Sequence, residues 1–166
     1  ANLRQLTETR MREKWITRHD ISAREIRAKG NNPDGAILET YFYEASWGHE
    51  YFLQYIDPLD RTIFGLLRLR IPSQYFTHQA HFIPTLDGAA IVREVHVFGD
   101  QLPFGMPGDG TGQHMGFGKK MMAEAEQIVR EKYRTIEKIA VIAGIWAREY
   151  YRKLDYVLQD EYMILP

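Results

Sequence analysis

The period of hydrophobic and polar positions changes twice along the chain. Residues 2–18 hold Leu3, Leu6, Met11, Trp15 and Ile16 at spacings near three and four among Arg, Glu and Lys, which predicts an amphipathic helix. The basic register continues through residues 20–29 until Gly30-Asn31-Asn32-Pro33-Asp34-Gly35 breaks it. From Ile37 the period falls to two, and residues 39–47 alternate with Tyr41, Tyr43, Ala45 and Trp47 on one face. Turns at 46–49 and 57–60 lead into strands over 50–56 and 62–71, an antiparallel meander with short connections. Gly65 inside the third strand points to a bulge or a close approach.

Residues 72–88 show no period, and 89–98 read as the best strand of the chain. Strict alternation there puts Ile91, Arg93, Val95 and Val97 on one face and Val92, Glu94, His96 and Phe98 on the other. Residues 99–112 carry five glycines and two prolines without periodicity, the composition of a loop that serves as a lid. A helix over 115–132 follows, with Phe117, Met121, Ala125, Ile128 and Val129 as its apolar stripe. A strand at 137–143, a short helix at 146–154 and strands at 156–158 and 162–165 complete the chain. The strand–helix–strand crossover implies that the strands at 91–98 and 137–143 run nearly parallel.

A length of 166 residues, 45% hydrophobic, fits a single globular domain with a proper core. Net charge is −1, so global charge selects no partner, but its distribution is uneven. Residues 1–30 hold eight Lys/Arg against four Asp/Glu, and the remainder thirteen against eighteen. The division expected is a basic helical arm over 1–30 ahead of an acidic domain over 31–166. Arg10, Arg12, Lys14, Arg18 and Arg24 on that arm are candidate phosphate contacts for nucleic acid; a merely solvated helix face explains them as well, and sequence alone favours it. Tyr41, Tyr43, Tyr51 and Tyr55 are candidates for base stacking, with core packing favoured for most of them.

The chain has no cysteine, which excludes disulfides, a thiol nucleophile and cysteine-held metal centres on it. His78 and His81 lack an evident third ligand, so no metal site is expected. No apolar run approaches membrane-spanning length and no signal peptide is visible, so the reading is of a soluble, cytoplasmic protein. The opening Ala, without an initiator Met, suggests a fragment or a processed product.

Candidate chemistry concentrates in Gln113-His114-Met115-Gly116-Phe117-Gly118-Lys119-Lys120. Glycines at the mouth of a helix expose N–H groups that lack intrahelical partners and sit at the positive end of the dipole, a place for phosphate or pyrophosphate. A P-loop would need Gly at 113 and Ser or Thr after Lys119, and both are missing. A Rossmann fingerprint needs three spaced glycines joining strand directly to helix, against a fourteen-residue loop here.

Gln113-x-x-Gly116-x-Gly118 does resemble the coenzyme-A pyrophosphate loop of the GNAT superfamily of N-acetyltransferases. Tyr150-Tyr151-Arg152-Lys153-Leu154-Asp155-Tyr156 is similar to the element after that fold's fifth strand, with Asp155 where glycine is usual. Taken in order with Arg93-Glu94-Val95-His96-Val97-Phe98-Gly99, Ala140-Val141-Ile142-Ala143-Gly144, Asn2-Leu3-Arg4-Gln5-Leu6 and Arg24-Glu25-Ile26, these stretches resemble the acetyltransferase-like domain of the Elongator catalytic subunit family.

The resemblance implies an α+β GNAT fold, with a mostly antiparallel central sheet whose two parallel strands splay apart, flanked by helices. It implies acetyl-CoA as cofactor, with contacts at Glu94, Val95, His96, Val97, Gln113, Gly116, Phe117, Gly118, Lys119, Tyr150 and Tyr151. Tyr151 aligns with the family tyrosine that returns a proton to the leaving thiolate, and Tyr150 would contact the coenzyme. Glu94 and His96 are candidates to activate water or an amine, beside the plainer readings of a salt bridge and a half-buried histidine. It further implies tRNA as partner, with Lys120 and the arm on its phosphates, and hydrolysis or transfer of acetyl in a carboxymethyl-type C5 modification of wobble uridine 34. The family's radical-SAM domain, with its iron–sulfur cluster and S-adenosylmethionine, and further Elongator-like subunits would act alongside. The family's cysteines near Arg-Glu-Ile are replaced here by Ser22 and Ala23. Two other readings stay open: a protein lysine N-acetyltransferase, and a non-catalytic acetyl-CoA- or tRNA-binding module.

Overall fold

The computed structural model describes residues 2–16, 19–26, 33–98 and 116–166. Seven strands, β1 (Ile37–Ala45), β2 (Gly48–Ile56), β3 (Ile63–Ile71), β4 (Ala89–Val97), β5 (Lys138–Ile142), β6 (Val157–Gln159) and β7 (Tyr162–Leu165), share one sheet in the order β1-β2-β3-β4-β5-β7-β6. Helices α1 (Leu3–Glu13) and α2 (Ile21–Arg24) precede it. Further along come α3 (Ser73–Thr77), α4 (Phe117–Lys132) and α5 (Arg148–Arg152). The architecture is mixed α+β.

Neighbouring strands pair antiparallel except β4 and β5, which are parallel because the sixteen-residue α4 carries the chain back across the sheet between them. Helix α4 lays Phe117, Met121, Met122, Ala125, Ile128 and Val129 on one sheet face, against Leu53, Leu67, Leu69, Val92 and Val141. Full burial of such a side chain is worth about 1.5–3 kcal/mol, so this contact fixes where the helix begins relative to β4. Phe117 anchors the start: its ring stacks on Tyr55 with centroids 4.4 Å apart, and Phe64 lies at 6.0 Å. Gly65 admits the helix closely, since a Cβ there would stand 3.1 Å from Met121 Cε.

Strand β4 departs from strict alternation. Arg68 pairs with Glu94 but Leu69 pairs with Val92, leaving Arg93 as the extra residue of a β-bulge. A one-residue slip moves every later side chain to the other face. Val92, Val95 and Val97 therefore all turn toward α4, whereas Ile91 packs in the separate cluster on the far side with Ala89, Ala140 and Ile164. The expected grouping of Ile91 and Arg93 with Val95 and Val97 is corrected accordingly. The extra residue is held by charge: Arg93 Nη1 donates to Glu50 Oε1 at 3.0 Å, beside Arg70 Nη1 at 2.8 Å, and Glu50 is only 2% exposed.

Local differences from the sequence expectations have simple causes. The β1–β2 turn is Ser46-Trp47, both at positive φ (46° and 58°), so β1 ends before Trp47. Helix α1 stops at Glu13, and Leu3, Leu6, Trp15 and Ile16 are exposed. The aperiodic residues 72–88 contain α3 and one 3-10 turn, Pro84–Leu86. The four tyrosines divide: Tyr51 is buried and Tyr55 packs on Phe117, while Tyr41 (46%) and Tyr43 (41%) are exposed on the outer strand β1.

Candidate functional site

The crossover places three features side by side. First, β4 and β5 pair only from Ala89↔Lys138 to Val92↔Val141, so β4 runs on through Val97 with its β5-side edge unpaired among the described residues. Phe98 N–H donates to Phe64 O on β3 at 2.8 Å. Because successive peptide groups alternate in direction, those of Val95 and Val97 face the gap.

Second, α4 begins with amides that no side chain of the described residues caps. Its N-cap is Gly116, in the left-handed region at φ 67°, ψ 21°. That backbone suits glycine and strains other residues. The first-turn N–H groups thus point outward at the positive end of a sixteen-residue helix. Lys119 and Lys120 are exposed at this end, and Lys120 Nζ lies 5.7 Å from the Phe117 ring centre.

Third, α5 brings up a tyrosine. A Cβ on Gly118 would stand 3.0 Å from the Tyr150 hydroxyl and 3.4 Å from Val97 Cγ2. Tyr150, Gly118 and Val97 therefore close one corner where the free edge of β4 meets the helix start. Tyr150 is 37% exposed, and burial, helped by Tyr151 and Glu126, pushes its phenol up to about 12. Tyr151 is only 6% exposed, packs on Tyr156 at 5.8 Å, and its phenol is also raised by burial. Tyr156 donates to Glu126 Oε1 at 3.1 Å and is raised by burial first, then by that carboxylate. Both candidate tyrosines are therefore protonated near neutrality and suit proton donation rather than base catalysis. Asp155, in the place of the usual glycine, adopts φ 65°, a conformation that Asp tolerates better than most residues, so the turn after α5 is kept.

Glu94 and His96 share a face, as the alternation foresaw, but it is the face away from α4 and Tyr150. Glu94 lies 3.8 Å from Arg68 Nη1, a loose exposed pair, and His96 stacks on Phe98 with ring centres 4.4 Å apart. Arg10, Arg12 and Lys14 are exposed on and just after α1. Arg24 instead reaches the sheet, with Nη2 3.5 Å from Gln54 Oε1. Gln113 and Arg18 lie outside the described residues, as does the proposed lid at 99–112. Among the described residues no cluster of three or more His, Asp or Glu is placed to hold a metal, and no helix is long and apolar enough to cross a membrane.

Sequence reasoning missed the Glu50–Arg70–Arg93 group and the Tyr150–Gly118 contact. The first had a signal, a lone carboxylate inside the apolar run of β2. The second had none, since it joins residues 32 apart in sequence through packing alone.

No family model matches the chain. It is 40% identical over 167 residues to Elongator complex protein 3 of Saccharomyces cerevisiae, covering 98% of this chain and 29% of the relative. The chain is a homologue of one part of Elongator complex protein 3. A second relative, tRNA uridine(34) acetyltransferase of Dehalococcoides mccartyi, is 41% identical over 135 residues, 81% of this chain and 28% of that protein. Among solved structures, archaeal Methanocaldococcus infernus Elp3 lacking its N-terminal residues 1–46 superposes with a TM-score of 0.81 at 34% identity, over 99% of this chain and 39% of that one. The chain thus spans about 30% of the length of the curated Elongator protein 3 relatives it matches.

Proposed function

We propose that this chain is a GNAT-type acetyl-CoA-binding acyltransferase domain that hydrolyses or transfers the acetyl group in a tRNA-dependent way, contributing to C5 modification of wobble uridine 34. One observation carries the reading: among the described residues, the edge of β4 left open beyond Val92 lies directly beside the uncapped start of α4. A pyrophosphate suits the amides of Phe117, Gly118 and Lys119, with the Lys119 and Lys120 charges at the rim. The gap-facing peptide groups of Val95 and Val97 suit the two amides of a pantetheine arm, in the manner of an added strand. A side chain at 118 would fill the corner under Tyr150, consistent with glycine serving close approach there.

The thioester supplies an acyl carbon open to attack and a thiolate leaving group. The position of its hydroxyl at this corner leads us to assign the proton returned to that thiolate to Tyr150, and to give the buried Tyr151, which the motif alone would choose, a supporting place beside it. Glu94 and His96 stand on the opposite face of the same strand edge, suited to orient the attacking water or acceptor. Activation of the nucleophile and protonation of the leaving group would then come from opposite sides. The radical-SAM chemistry that completes the uridine modification belongs, by resemblance, to other parts of the longer relatives.

Free-thiol release from acetyl-CoA tests the reading. Release stimulated by tRNA supports it; release stimulated only by a lysine peptide makes the chain a lysine acetyltransferase; binding without release makes it a scaffold module. Tyr150→Phe is expected to slow release about a hundredfold, the lower end of what general acid catalysis contributes, while Tyr151→Phe changes it less. An unaffected rate in Tyr150→Phe removes the proton-donor role.

A further inference from the structure

On the sheet face away from α4, a hollow of about 280 Å³ lies between the α2 segment and the β1–β2 pair. His19, Arg24, Tyr41, Phe52, Gln54 and Arg61 line it. Its volume is near the lower end for small-ligand sites. Its chemistry is unusual for an open sheet face: two aromatic rings, an amide and two guanidiniums.

Most of this wall is held rigid. Tyr41 Oη donates to Glu39 Oε2 at 2.7 Å and accepts from Arg61 Nη2 at 3.1 Å. Arg61 grips Glu39 through both nitrogens at 2.6 and 2.8 Å, so that pair is neutral as a unit. Gln54 Nε2 donates to Glu39 Oε2 at 3.0 Å, turning Gln54 Oε1 toward Arg24. Among the described residues the hydrogen bonds of Arg24 go to neutral acceptors, the His19 carbonyl at 3.1 Å and Gln54 Oε1 at 3.5 Å, so neither partner offsets its charge at the wall of the hollow.

We propose that this hollow binds an unpaired nucleotide of an RNA, its base stacking on Tyr41 and Phe52 and its phosphate meeting Arg24. Aromatic rings on an open sheet with a nearby guanidinium are what single-stranded RNA binders use, and stacking asks nothing of base identity. The hollow is also in line with the candidate site. Tyr41↔Phe52, Phe52↔Arg68 and Arg68↔Glu94 are successive cross-strand partners. With strands about 4.8 Å apart, Tyr41 lies about 14 Å from Glu94 across the sheet, a span of a few nucleotides. A strand of RNA held at Tyr41 would cross Arg68 and present a later nucleotide beside Glu94 and His96. The proposal rests on the reading that RNA is the acceptor.

Fluorescence anisotropy of the 166-residue chain with a labelled uridine-rich single-stranded decamer, the matching duplex and a tRNA transcript tests it. The decamer is expected to bind more tightly than the duplex. Tyr41→Ala should weaken decamer binding about 5- to 150-fold, the stacking value of one base, and Tyr41→Phe should stay much closer to wild type. Arg24→Gln should weaken binding and lower the salt slope by about one phosphate. Coenzyme-A titrations of each variant should match wild type, since none of these residues belongs to the thioester site, and thermal melts should show each variant folded at the assay temperature. If tRNA binds but Tyr41→Ala and Arg24→Gln leave it unchanged, the hollow is overturned as an RNA site, the tRNA reading survives, and the face is left for a polypeptide contact. If neither decamer nor tRNA binds wild type at low salt while coenzyme A does, both the RNA reading and this site fall.

Discussion

Gly118→Ala isolates the corner where helix, strand edge and tyrosine meet. In an ordinary helix position the change should stabilise the protein by about 1 kcal/mol, because alanine is the better helix former. Here the new methyl would stand 3.0 Å from the Tyr150 hydroxyl and 3.4 Å from Val97 Cγ2. The tyrosine tip must retreat by a few tenths of an ångström, and overpacking of this kind costs about 1–3 kcal/mol. The two effects partly offset each other, so stability should fall by no more than about 2 kcal/mol. The ligand has no such compensation. A methyl on the approach to the first-turn amides removes at least one charge-assisted hydrogen bond, worth about 1.5–3 kcal/mol, or about 10- to 150-fold in Kd. Calorimetric titration with coenzyme A alongside a thermal melt measures both. The double variant Gly118→Ala/Tyr150→Phe divides the causes: recovery of affinity means the tyrosine was displaced onto the ligand path, and no recovery means the methyl itself blocks it. A Kd within about twofold of wild type, with the fold intact, refutes the placement of the pyrophosphate on these amides.

Three further outcomes follow from the surrounding structure. Glu50→Gln leaves Arg70, whose side chain is 18% exposed, without its counter-charge, and should lower stability by about 2–4 kcal/mol in urea unfolding at unchanged m-value. A loss under about 0.5 kcal/mol would mean that the bulge at Arg93 is held by packing instead. Tyr133→Phe removes the hydroxyl bridging His49 Nδ1 at 2.7 Å and Tyr51 Oη at 2.8 Å, and should cost about 1–3 kcal/mol in the same assay, because the buried Tyr51 and the half-buried His49 both lose a partner. Raised phenols, Tyr150 at about 12 with Tyr151, Tyr156 and Tyr133 also shifted upward by burial, keep their protons in the folded protein where the unfolded chain releases its own near pH 10. Stability is then fully present below pH 10 and declines as pH climbs through 12, which melts across pH 7–12 with tyrosinate absorbance would follow. A flat melting temperature past pH 11 would contradict the burial of these rings.

What local pattern could determine, it did. Period-two alternation located β1 to β4 to within a few residues, period 3.6 located α4 and its buried stripe, and the crossover between them required β4 and β5 to be parallel. Gly116 and Gly118 marked the helix start because only the special backbone and close approach at that corner call for them. Tertiary structure alone decided which side chains share a face. Strict alternation groups Arg93 with Val95, but the attraction of Arg93 to the buried Glu50 inserts a bulge, and one inserted residue reverses everything after it. Of the two adjacent tyrosines the motif points to Tyr151, whereas packing against Tyr156 takes that ring into the core and the Tyr150 hydroxyl comes to the corner beside Gly118. Alternation and helical period are properties of neighbours along the chain, whereas burial and charge pairing depend on residues that meet only after folding, and those set the chemistry of this surface.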